Sequence, residues 1–479
     1  MSDEKRRNAL NAGAVSTLGV AALGVVMMAP ALGIYANLGL ISAESGKVAP
    51  FVFVLALACT LPTALCYAMI AREIPSAGSA YTWLCEAINP IVGFWVGLLL
   101  LSTYLFCVVL QPILFSVFFN ELLANLLHWE ANYATSMLGV LVSTVIVACL
   151  AYPGIQISVK ASMALAVIEL SVVMALSCTI LLKLFLQGHI EFGPFLPSQS
   201  LSGNRGLFQG LVFGLLSFVG FGVITTAAEE THSPRVVIPR VVVIACAFLG
   251  FYWALTSWSF CVVFPAEAWR NYVTKGINPV AVISRQYWRA GSIVVTVTAI
   301  TAVLGSYLAS IVGCARVAYA MGRDGTLPAF FGQLHSRYKV PWTAQHVAMV
   351  TTLGVAVLWC RWMGVYLAYE WWGSVVVFFA MVSNIFVNIG CAFFFFRFRP
   401  RRFSWFWHAL LPLLGMGTSV LPLYHCFGAD LWRQGWARGQ SIIFFSFLVV
   451  SLATLYTIVL RVLKPEMLRR SSPGRNHEG

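Results

Sequence analysis

One acidic side chain of this sequence stands apart from the others. Among the 17 Asp and Glu residues, Glu169 alone falls near the middle of a long apolar run, nine residues after Lys160. A central carboxylate costs about 2.5 kcal/mol or more on membrane-insertion scales, so its presence favours a function. Burial favours the neutral acid, and the group is suited to take up a proton or to coordinate a cation. The alternative is a protonated Glu that bonds locally to a neighbouring helix.

Two other apolar runs are interrupted by residues that break helices. The first contains MAPALG at 28–33, and the sixth contains SFVGFG at 217–222, at a similar depth. Pro30 lacks an N–H group and its ring clashes with the preceding turn, while Gly readily leaves the helical conformation. Taken alone, each interruption is as compatible with a purely structural role, either a simple kink or a close helix crossing, as with a functional break.

The elements that carry these residues are membrane-spanning helices. Of 479 residues, 59% are hydrophobic and 10% are charged, whereas a typical soluble chain has about 25% charged residues. Apolar runs of about 20 residues match a hydrocarbon core of about 30 Å. The pattern predicts an all-α membrane protein with twelve transmembrane helices. The predicted spans are 14–39, 48–72, 90–120, 135–152, 160–187, 207–229, 236–264, 291–320, 343–362, 370–397, 405–427 and 440–463.

The basic residues predict the orientation of these spans. A net charge of +13 would suggest nucleic-acid binding in a soluble protein, but here the Lys and Arg residues lie between apolar runs, so no nucleic-acid partner is expected. Of the 30 basic residues, 20 fall on the side of the N-terminus. The positive-inside rule therefore predicts a multi-pass protein of the cytoplasmic (inner) membrane with both termini cytoplasmic, as segments 1–13 and 464–479. The lipid bilayer is the surrounding partner.

The sequence lacks the residue sets expected of a membrane enzyme. The 12 Cys residues are scattered without a CxxC pattern or a Cys–His pairing, so we expect no metal site and no disulfide. Paired carboxylates and a nucleophile elbow are also missing. A channel would need a symmetric pore, and no feature indicates one. We therefore predict neither an enzyme nor a cofactor, apart from a coupling ion such as H⁺ or Na⁺.

The two interruptions are related by their positions. They lie in spans 1 and 6, which are five spans apart. Because five is an odd number, the two segments cross the membrane in opposite directions. This predicts an inverted repeat, 14–187 followed by 207–397, with helices 11 and 12 in 405–463 and a solute site between the broken helices. Free N–H groups after each break would attract a carboxylate, and free carbonyls before it would accept from an ammonium group. One zwitterion would satisfy both.

Motifs after spans 2, 6 and 8 are shared with a known family. Segment 71–83 reads AREIPSAGSAYTW and is similar to a P-x-A-G-S-x-Y motif; SFVGFG is followed by TTAAEET at 225–231 and IPR at 238–240; and segment 319–328 reads YAMGRDGTLP. With these motifs in order and in the expected loops, the chain resembles the amino acid–polyamine–organocation (APC) superfamily of permeases over nearly its full length.

The resemblance implies ten helices in two inverted repeats, two peripheral helices, alternating access and transport of amino acids or amines. It also implies roles for residues of both interruptions. Backbone groups for the solute's carboxylate and amino groups would come from Met28, Ala29, Ala31, Leu32 and Gly33, and the facing carbonyls and walls from Ser217, Phe218, Gly220, Phe221 and Gly222. Phe218 or Phe221 would act as a lid, with ordinary helix packing as the alternative for either ring.

This chain differs from relatives that import diamines at two positions, and both differences affect which solute we expect it to bind. Those relatives often carry an acid where this chain has Gly222, and an Asp before the Tyr of helix 3, where this chain has Thr103 before Tyr104. A buried dication needs anionic partners. The lack of these two acids favours a zwitterionic amino acid with a neutral side chain as the solute. An amine or polyamine importer of the same fold remains the alternative. Tyr104 is expected either to line the cavity or to pack between helices.

The resemblance also gives a context for Glu169. Several relatives carry a Lys at about this position, where it fills a sodium site against helices 1 and 8. An acid that faces the first interruption and the Ser306 and Ser310 face of helix 8 would instead bind a proton or help to coordinate Na⁺. We therefore predict a secondary active transporter of an amino acid, coupled to protons through Glu169.

Overall fold

The computed structural model describes residues 13, 15–151, 155–428, 432 and 435–470. Within these residues the secondary structure is helical, apart from one isolated bridge between Val15 and Thr231. The predicted all-α class is therefore confirmed for the described residues. Segment 1–12, the predicted turn at 152–154 and residues 471–479 of the predicted tail lie outside them.

The first half of the chain contains a broken helix followed by four long helices. A π-helical stretch, Gly33–Asn37, joins α2 to α3, and Gly46 then reverses the chain with φ 70°. The helices of this half are α1 Thr17–Met28, α2 Pro30–Leu32, α3 Leu38–Ser45, α4 Ala49–Glu73, α5 Ala80–Ala87, α6 Pro90–Leu127, α7 Tyr133–Ala151 and α8 Ile155–Leu186.

The second half also begins with a broken helix. Two short helices, α12 and α13, lie in the loop before α14, where the sequence pattern predicted no helix. The helices of this half are α9 Gly203–Phe218, α10 Val223–Thr226, α11 Pro234–Cys261, α12 Ala266–Thr274, α13 Pro279–Trp288, α14 Ser292–Arg323, α15 Trp342–Met363, α16 Val365–Phe398, α17 Leu411–Phe427, α18 Ser441–Leu463 and α19 Pro465–Arg470.

In the part of the chain that the structure describes, eleven helical segments are long and apolar enough to cross a membrane. The number differs from the predicted twelve because the segment Thr17–Glu73, of 57 residues, contains both of the first two predicted spans. Several bounds also differ. For example, α6 extends seven residues beyond the predicted end at 120, since no Gly or Pro follows Pro112 before His128, which ends the helix in the left-handed conformation.

The broken helices occupy the centre of the bundle. α1 packs against α8, α11 and α14, and α9 packs against α3, α4 and α16. Large aromatic side chains such as Trp253 and Tyr307 are buried here, whereas Phe396 and Trp405 are exposed on the outer surface. Apolar side chains that point outward on long apolar helices are expected to face lipid. The fold is that of a multi-pass membrane protein.

Candidate functional site

The first break comprises residues 28–30, between α1 and α2. α1 ends at Met28, and Ala29 adopts the left-handed conformation with φ 45° and ψ 77°. The Ala29 N–H closes α1 by donating to the Val25 carbonyl at 2.9 Å. Pro30 opens α2, where its missing N–H leaves no donor unsatisfied. The helix is thus interrupted where the sequence predicts it.

Side chains of three other helices bond to the backbone around the first break. Buried backbone groups freed from a helix need such partners. The bonds run from Ser306 Oγ of α14 to the Met27 carbonyl (3.3 Å), from Trp253 Nε1 of α11 to the Pro30 carbonyl (2.8 Å), and from the Ala31 N–H to Glu169 Oε2 of α8 (3.4 Å). The N–H group expected to attract a solute carboxylate here therefore faces a carboxyl group of the protein itself.

Glu169 is buried directly behind the first break. Its Oε2 atom accepts from Ala31, while Oε1 has no hydrogen-bond partner among the described residues. Helix α14 approaches it at Gly305, where a Cβ atom would lie 3.9 Å from Oε1. The predicted partners Ser306 and Ser310 make other bonds: Ser306 donates to Met27, and Ser310 donates to the Ser306 carbonyl at 2.7 Å. Ser306 thus supports the backbone next to the break, and Ser310 contacts the Met27 sulfur atom at 3.4 Å.

The second break comprises residues 219–222, between α9 and α10. Val219 is extended, with φ −60° and ψ 128°, and Gly220 has φ 115°, a value that side chains with a Cβ atom rarely adopt. A Cβ atom at Gly220 would also collide with Met27 of α1. In the described chain, the N–H groups of Gly220 and Gly222 donate to no backbone acceptor. The two breaks therefore contact each other, and the second retains free donors.

Cavity A is a closed space of about 40 Å³ between the two breaks. Gln111 of α6 donates from Nε2 to Ser306 Oγ at 2.8 Å, but its Oε1 atom has no partner among the described residues. Asn37 bridges Ser217 Oγ (2.8 Å) and the hydroxyl of Tyr369 (2.6 Å). The lining residues are Met27, Met28, Ala29, Leu32, Asn37, Cys107, Leu110, Gln111, Leu114, Leu216, Ser217, Val219, Ser306 and Tyr369.

Cavity B is a second closed space, of about 30 Å³, between the second break and helices α4, α6 and α16. It shares Val219 with cavity A. Among the described residues, the hydroxyl groups of Thr60, Tyr104 and Ser383 are buried without a hydrogen-bond partner. Cavity B is lined by these three residues and by Tyr67, Leu100, Thr103, Leu215, Phe218, Val219, Gly220, Phe221, Gly222, Ala380, Met381 and Asn384. As in cavity A, no lining residue in the described chain carries a charge.

The structure divides the predicted solute residues between these spaces. Met28, Ala29, Leu32 and Ser217 line cavity A, while Tyr104, Phe218, Gly220, Phe221 and Gly222 line cavity B.

The remaining two predicted residues, Ala31 and Gly33, line neither cavity. The N–H of Ala31 faces Glu169, and Gly33 lies against the indole of Trp253, which occupies the place of a side chain. Both predicted lid rings are packed in the bundle: Phe218 lies 5.0 Å from the Trp253 ring, and Phe221 lies 5.0 Å from Tyr67.

Several residues of the site carry a weak signal in the sequence or none. Asn37 and Gln111 are polar residues inside apolar runs, which could have marked them. Thr60 and Ser383 resemble ordinary small residues of a membrane helix, and Trp253 resembles a packing residue. Their roles depend on which face of each helix turns inward, which the sequence pattern does not fix.

A polar layer closes the bundle at the end where α1 begins. Glu229 pairs with Arg323 at 3.2 Å, Glu230 pairs with buried Arg316, and the Tyr81 hydroxyl donates to Asp324 at 3.0 Å. At the opposite end of α6, a much larger cavity of about 510 Å³ is lined by residues that include Asn120, Glu121, Arg285 and Tyr366. Polar contacts therefore lie at one end of the bundle, and the larger cavity lies towards the other end.

Comparison with known proteins agrees with this architecture. Residues 15–462 match the model of the family described as "Amino acid permease". The chain is 26% identical to the low-affinity putrescine importer PlaP of Escherichia coli over 351 residues, which are 70% of this chain and 72% of that protein.

Two further relatives are named for other substrates. The branched-chain amino acid permease BcaP of Bacillus subtilis is 26% identical over 64% of this chain and 66% of its own length. The cationic amino acid transporter 4 of Mus musculus is 24% identical over 68% of this chain and 52% of its own length. With a family match that spans nearly all of it, the chain belongs to the amino acid permease family of the APC superfamily.

Proposed function

We propose that this protein is a secondary transporter that moves a zwitterionic amino acid across the cytoplasmic membrane by alternating access, driven by protons that bind at Glu169. The observation that carries the proposal is the meeting of two broken membrane helices at a closed, uncharged and polar cavity. Irregular backbone at membrane depth is tolerated where it lines a cavity, and broken helices that face each other are typical of transporter solute sites.

The polar groups of cavities A and B together fit a zwitterion. The carboxyl end of α1 and the free Oε1 of Gln111 are acceptors suited to an ammonium group. The free N–H groups of Gly220 and Gly222, which line the adjoining cavity B, are donors suited to a carboxylate. A dication would need anionic side chains, since an unpaired charge in the membrane interior costs several kcal/mol. None lines cavity A or cavity B in the described chain.

Glu169 supplies a route for coupling to protons. Its ionised carboxylate accepts a stronger hydrogen bond from the Ala31 N–H than the neutral acid does. Burial favours the neutral acid, so proton binding and release at Glu169 would change the stability of the first break. Proton binding would thereby alter the site that holds the solute.

The proposal includes a chain that crosses the membrane twelve times. A straight helix of 57 residues would be about 85 Å long at 1.5 Å per residue, far longer than the hydrocarbon core, and Gly46 reverses the chain within Thr17–Glu73. The segment therefore supplies two crossings. Twelve crossings leave both termini on the cytoplasmic side, in line with the excess of basic residues there. Segments 14–187 and 207–397 would form the inverted repeat.

The proposal is tested by uptake into proteoliposomes that contain the purified protein. The labelled solutes are alanine, serine, leucine, lysine and putrescine, each with no gradient, with a proton gradient and with a sodium gradient. We expect neutral amino acids to accumulate and a proton gradient to raise their accumulation. Uptake of putrescine alone would overturn the proposal.

The second candidate is an importer of amines within the same fold. It is favoured by the similarity to PlaP, which is named as a putrescine importer. The uncharged lining of cavities A and B disfavours it. The same uptake experiment decides between the two, since accumulation of putrescine and exclusion of alanine would establish the amine importer.

A further inference from the structure

We propose that cavity B receives the side chain of the transported amino acid and selects short, uncharged side chains that form hydrogen bonds, that is, side chains with a hydroxyl or carboxamide group. This inference rests on the proposed function, because it takes cavity A as the place of the ammonium group. It identifies three specificity-determining residues, Thr60, Tyr104 and Ser383.

Cavity B lies where a side chain would extend from a solute in cavity A. Val219 of the second break lines both cavities. Helix α6 contributes Tyr104 to cavity B and Gln111 to cavity A, seven residues apart and thus two turns along the same helix face. We expect a solute held by the acceptors of cavity A to extend its side chain towards cavity B past the backbone of the second break.

Three residues that line cavity B have buried hydroxyl groups to which no group of the described chain forms a hydrogen bond. Thr60, Tyr104 and Ser383 are 5%, 2% and 1% exposed, and their hydroxyl groups lack a partner among the described residues. A buried hydroxyl group left without a hydrogen bond typically costs about 1–3 kcal/mol. The three residues belong to α4, α6 and α16, and all of them line one space of about 30 Å³. Unrelated packing defects would not be expected to occur around a single space in this way.

The volume of cavity B and its uncharged lining limit which side chains it can hold. A water molecule needs about 10–15 Å³ in a cavity of this kind, so about 30 Å³ accommodates roughly two water-sized groups. That space fits a hydroxyl or carboxamide group. No charged residue of the described chain lines cavity B to pair with an ammonium or carboxylate group. A branched aliphatic side chain would leave the three hydroxyl groups unsatisfied.

A site lined by unpaired hydroxyl groups discriminates strongly against side chains that cannot form hydrogen bonds. A pocket built to bond a hydroxyl group rejects the analogue that lacks it, because its own polar groups then stay unpaired. Threonine and valine are the matched pair, since they differ by one hydroxyl group in place of a methyl group. Asparagine and leucine form a second pair of similar shape.

The test is the ratio of threonine to valine uptake in proteoliposomes, measured as competition against labelled alanine. We expect the wild-type protein to prefer threonine over valine by about tenfold or more, in keeping with one or more hydrogen bonds. Each of Tyr104→Phe, Thr60→Val and Ser383→Ala removes one hydroxyl group. Each should lower the ratio by about three- to tenfold, measured against the alanine uptake of the same variant.

The matched control is Ser177→Ala. Ser177 of α8 is also a buried hydroxyl group without a partner among the described residues, but it does not line cavity B. We expect its substitution to leave the ratio unchanged. Three positions on three helices keep the test open if one variant fails to fold, as judged by its thermal unfolding in detergent.

The possible outcomes separate this inference from the proposed function. If alanine is transported but valine competes as well as threonine, cavity B does not select a polar side chain and the inference is wrong, while the proposed function stands. A threonine preference that survives all three substitutions would also overturn it, because water would then fill cavity B. If no amino acid is transported, the proposed function itself fails.

Discussion

The two breaks at the centre of this protein differ in how their polar groups are satisfied. At the first break, Met27, Pro30 and Ala31 all bond to side chains of other helices. At the second break, the N–H groups of Gly220 and Gly222 are free among the described residues, and the adjoining cavity B contains three unpaired hydroxyl groups. Side chains of the protein bond most of the backbone of the first break, whereas the second break retains more free polar groups.

This difference suggests a division of labour between two elements with similar sequence signals. A break held by fixed partners, one of which can be protonated, is suited to couple an ion to a change of conformation. A break with free polar groups is suited to recognise the solute. We therefore expect substitutions at the first break to affect coupling and stability, and substitutions at the second to affect which solute is carried.

The largest effect is expected for Gly220→Ala at the second break. The backbone φ of 115° is strained for any residue with a Cβ atom, and the new methyl group would collide with Met27. We expect amino acid uptake to fall on the order of 100-fold, with a lower thermal unfolding midpoint. The control is Gly354→Ala in α15, where a Cβ atom meets no neighbour within 4 Å. Normal uptake in Gly220→Ala would mean that the geometry of the second break is not required.

Next in size is the effect of Glu169→Gln at the first break. Gln keeps the size of the side chain but takes up no proton in the physiological range, so a proton gradient should no longer raise amino acid accumulation, which we expect to fall about tenfold. Exchange of labelled for unlabelled solute should persist. Glu267→Gln, at an exposed position of α12, serves as the control. Accumulation that still follows the gradient in Glu169→Gln would contradict coupling through this residue.

A smaller effect is expected for Trp253→Phe, which removes the donor to the Pro30 carbonyl. A buried carbonyl left unpaired typically costs about 1–3 kcal/mol, so the thermal unfolding midpoint should fall while the threonine-to-valine ratio stays unchanged. Trp95→Phe is the matched control, because its indole N–H bonds to Thr454 at an exposed position. If Trp253→Phe changed the ratio without changing stability, the first break would take part in solute selection.

The smallest effect is expected for Ala29→Gly. Ala29 holds the left-handed conformation, which costs a residue with a Cβ atom about 1 kcal/mol and costs Gly little. We expect unchanged uptake and a thermal midpoint equal to or slightly above that of wild type. This outcome is opposite to that of Gly220→Ala, so the pair of variants compares the backbone of the two breaks directly. A loss of uptake in Ala29→Gly would show that the methyl group itself is needed in cavity A.

Much of the fold could be predicted from the sequence because apolar runs and helix breakers report directly on membrane helices. The ends of α4, α11, α14 and α18 lie within three residues of the predicted ones. Both breaks were predicted from Pro30 and the Gly residues at 220 and 222, since these residues act on their own backbone. The short helices α12 and α13 were missed because they lie in a polar loop without a membrane-length run.

The site was predicted less completely because it depends on the rotation of each helix. The depth of Glu169 could be read from its position, but its bond to Ala31 rather than to Ser306 or Ser310 depends on how α8 faces the bundle. Gly33 was predicted to contact the solute, yet it makes room for Trp253, more than 200 residues away in sequence. Contacts of this kind arise from tertiary packing and carry no local signal.

The most direct test of the division between the breaks is a paired measurement on Glu169→Gln and Tyr104→Phe in the same proteoliposome assay. Two quantities are recorded for each: the increase in accumulation that a proton gradient produces, and the ratio of threonine to valine uptake. We predict that Glu169→Gln loses the first and keeps the second, and that Tyr104→Phe keeps the first and lowers the second. If Tyr104→Phe abolished the response to the gradient, or if Glu169→Gln altered the ratio, the two breaks would not have separate roles.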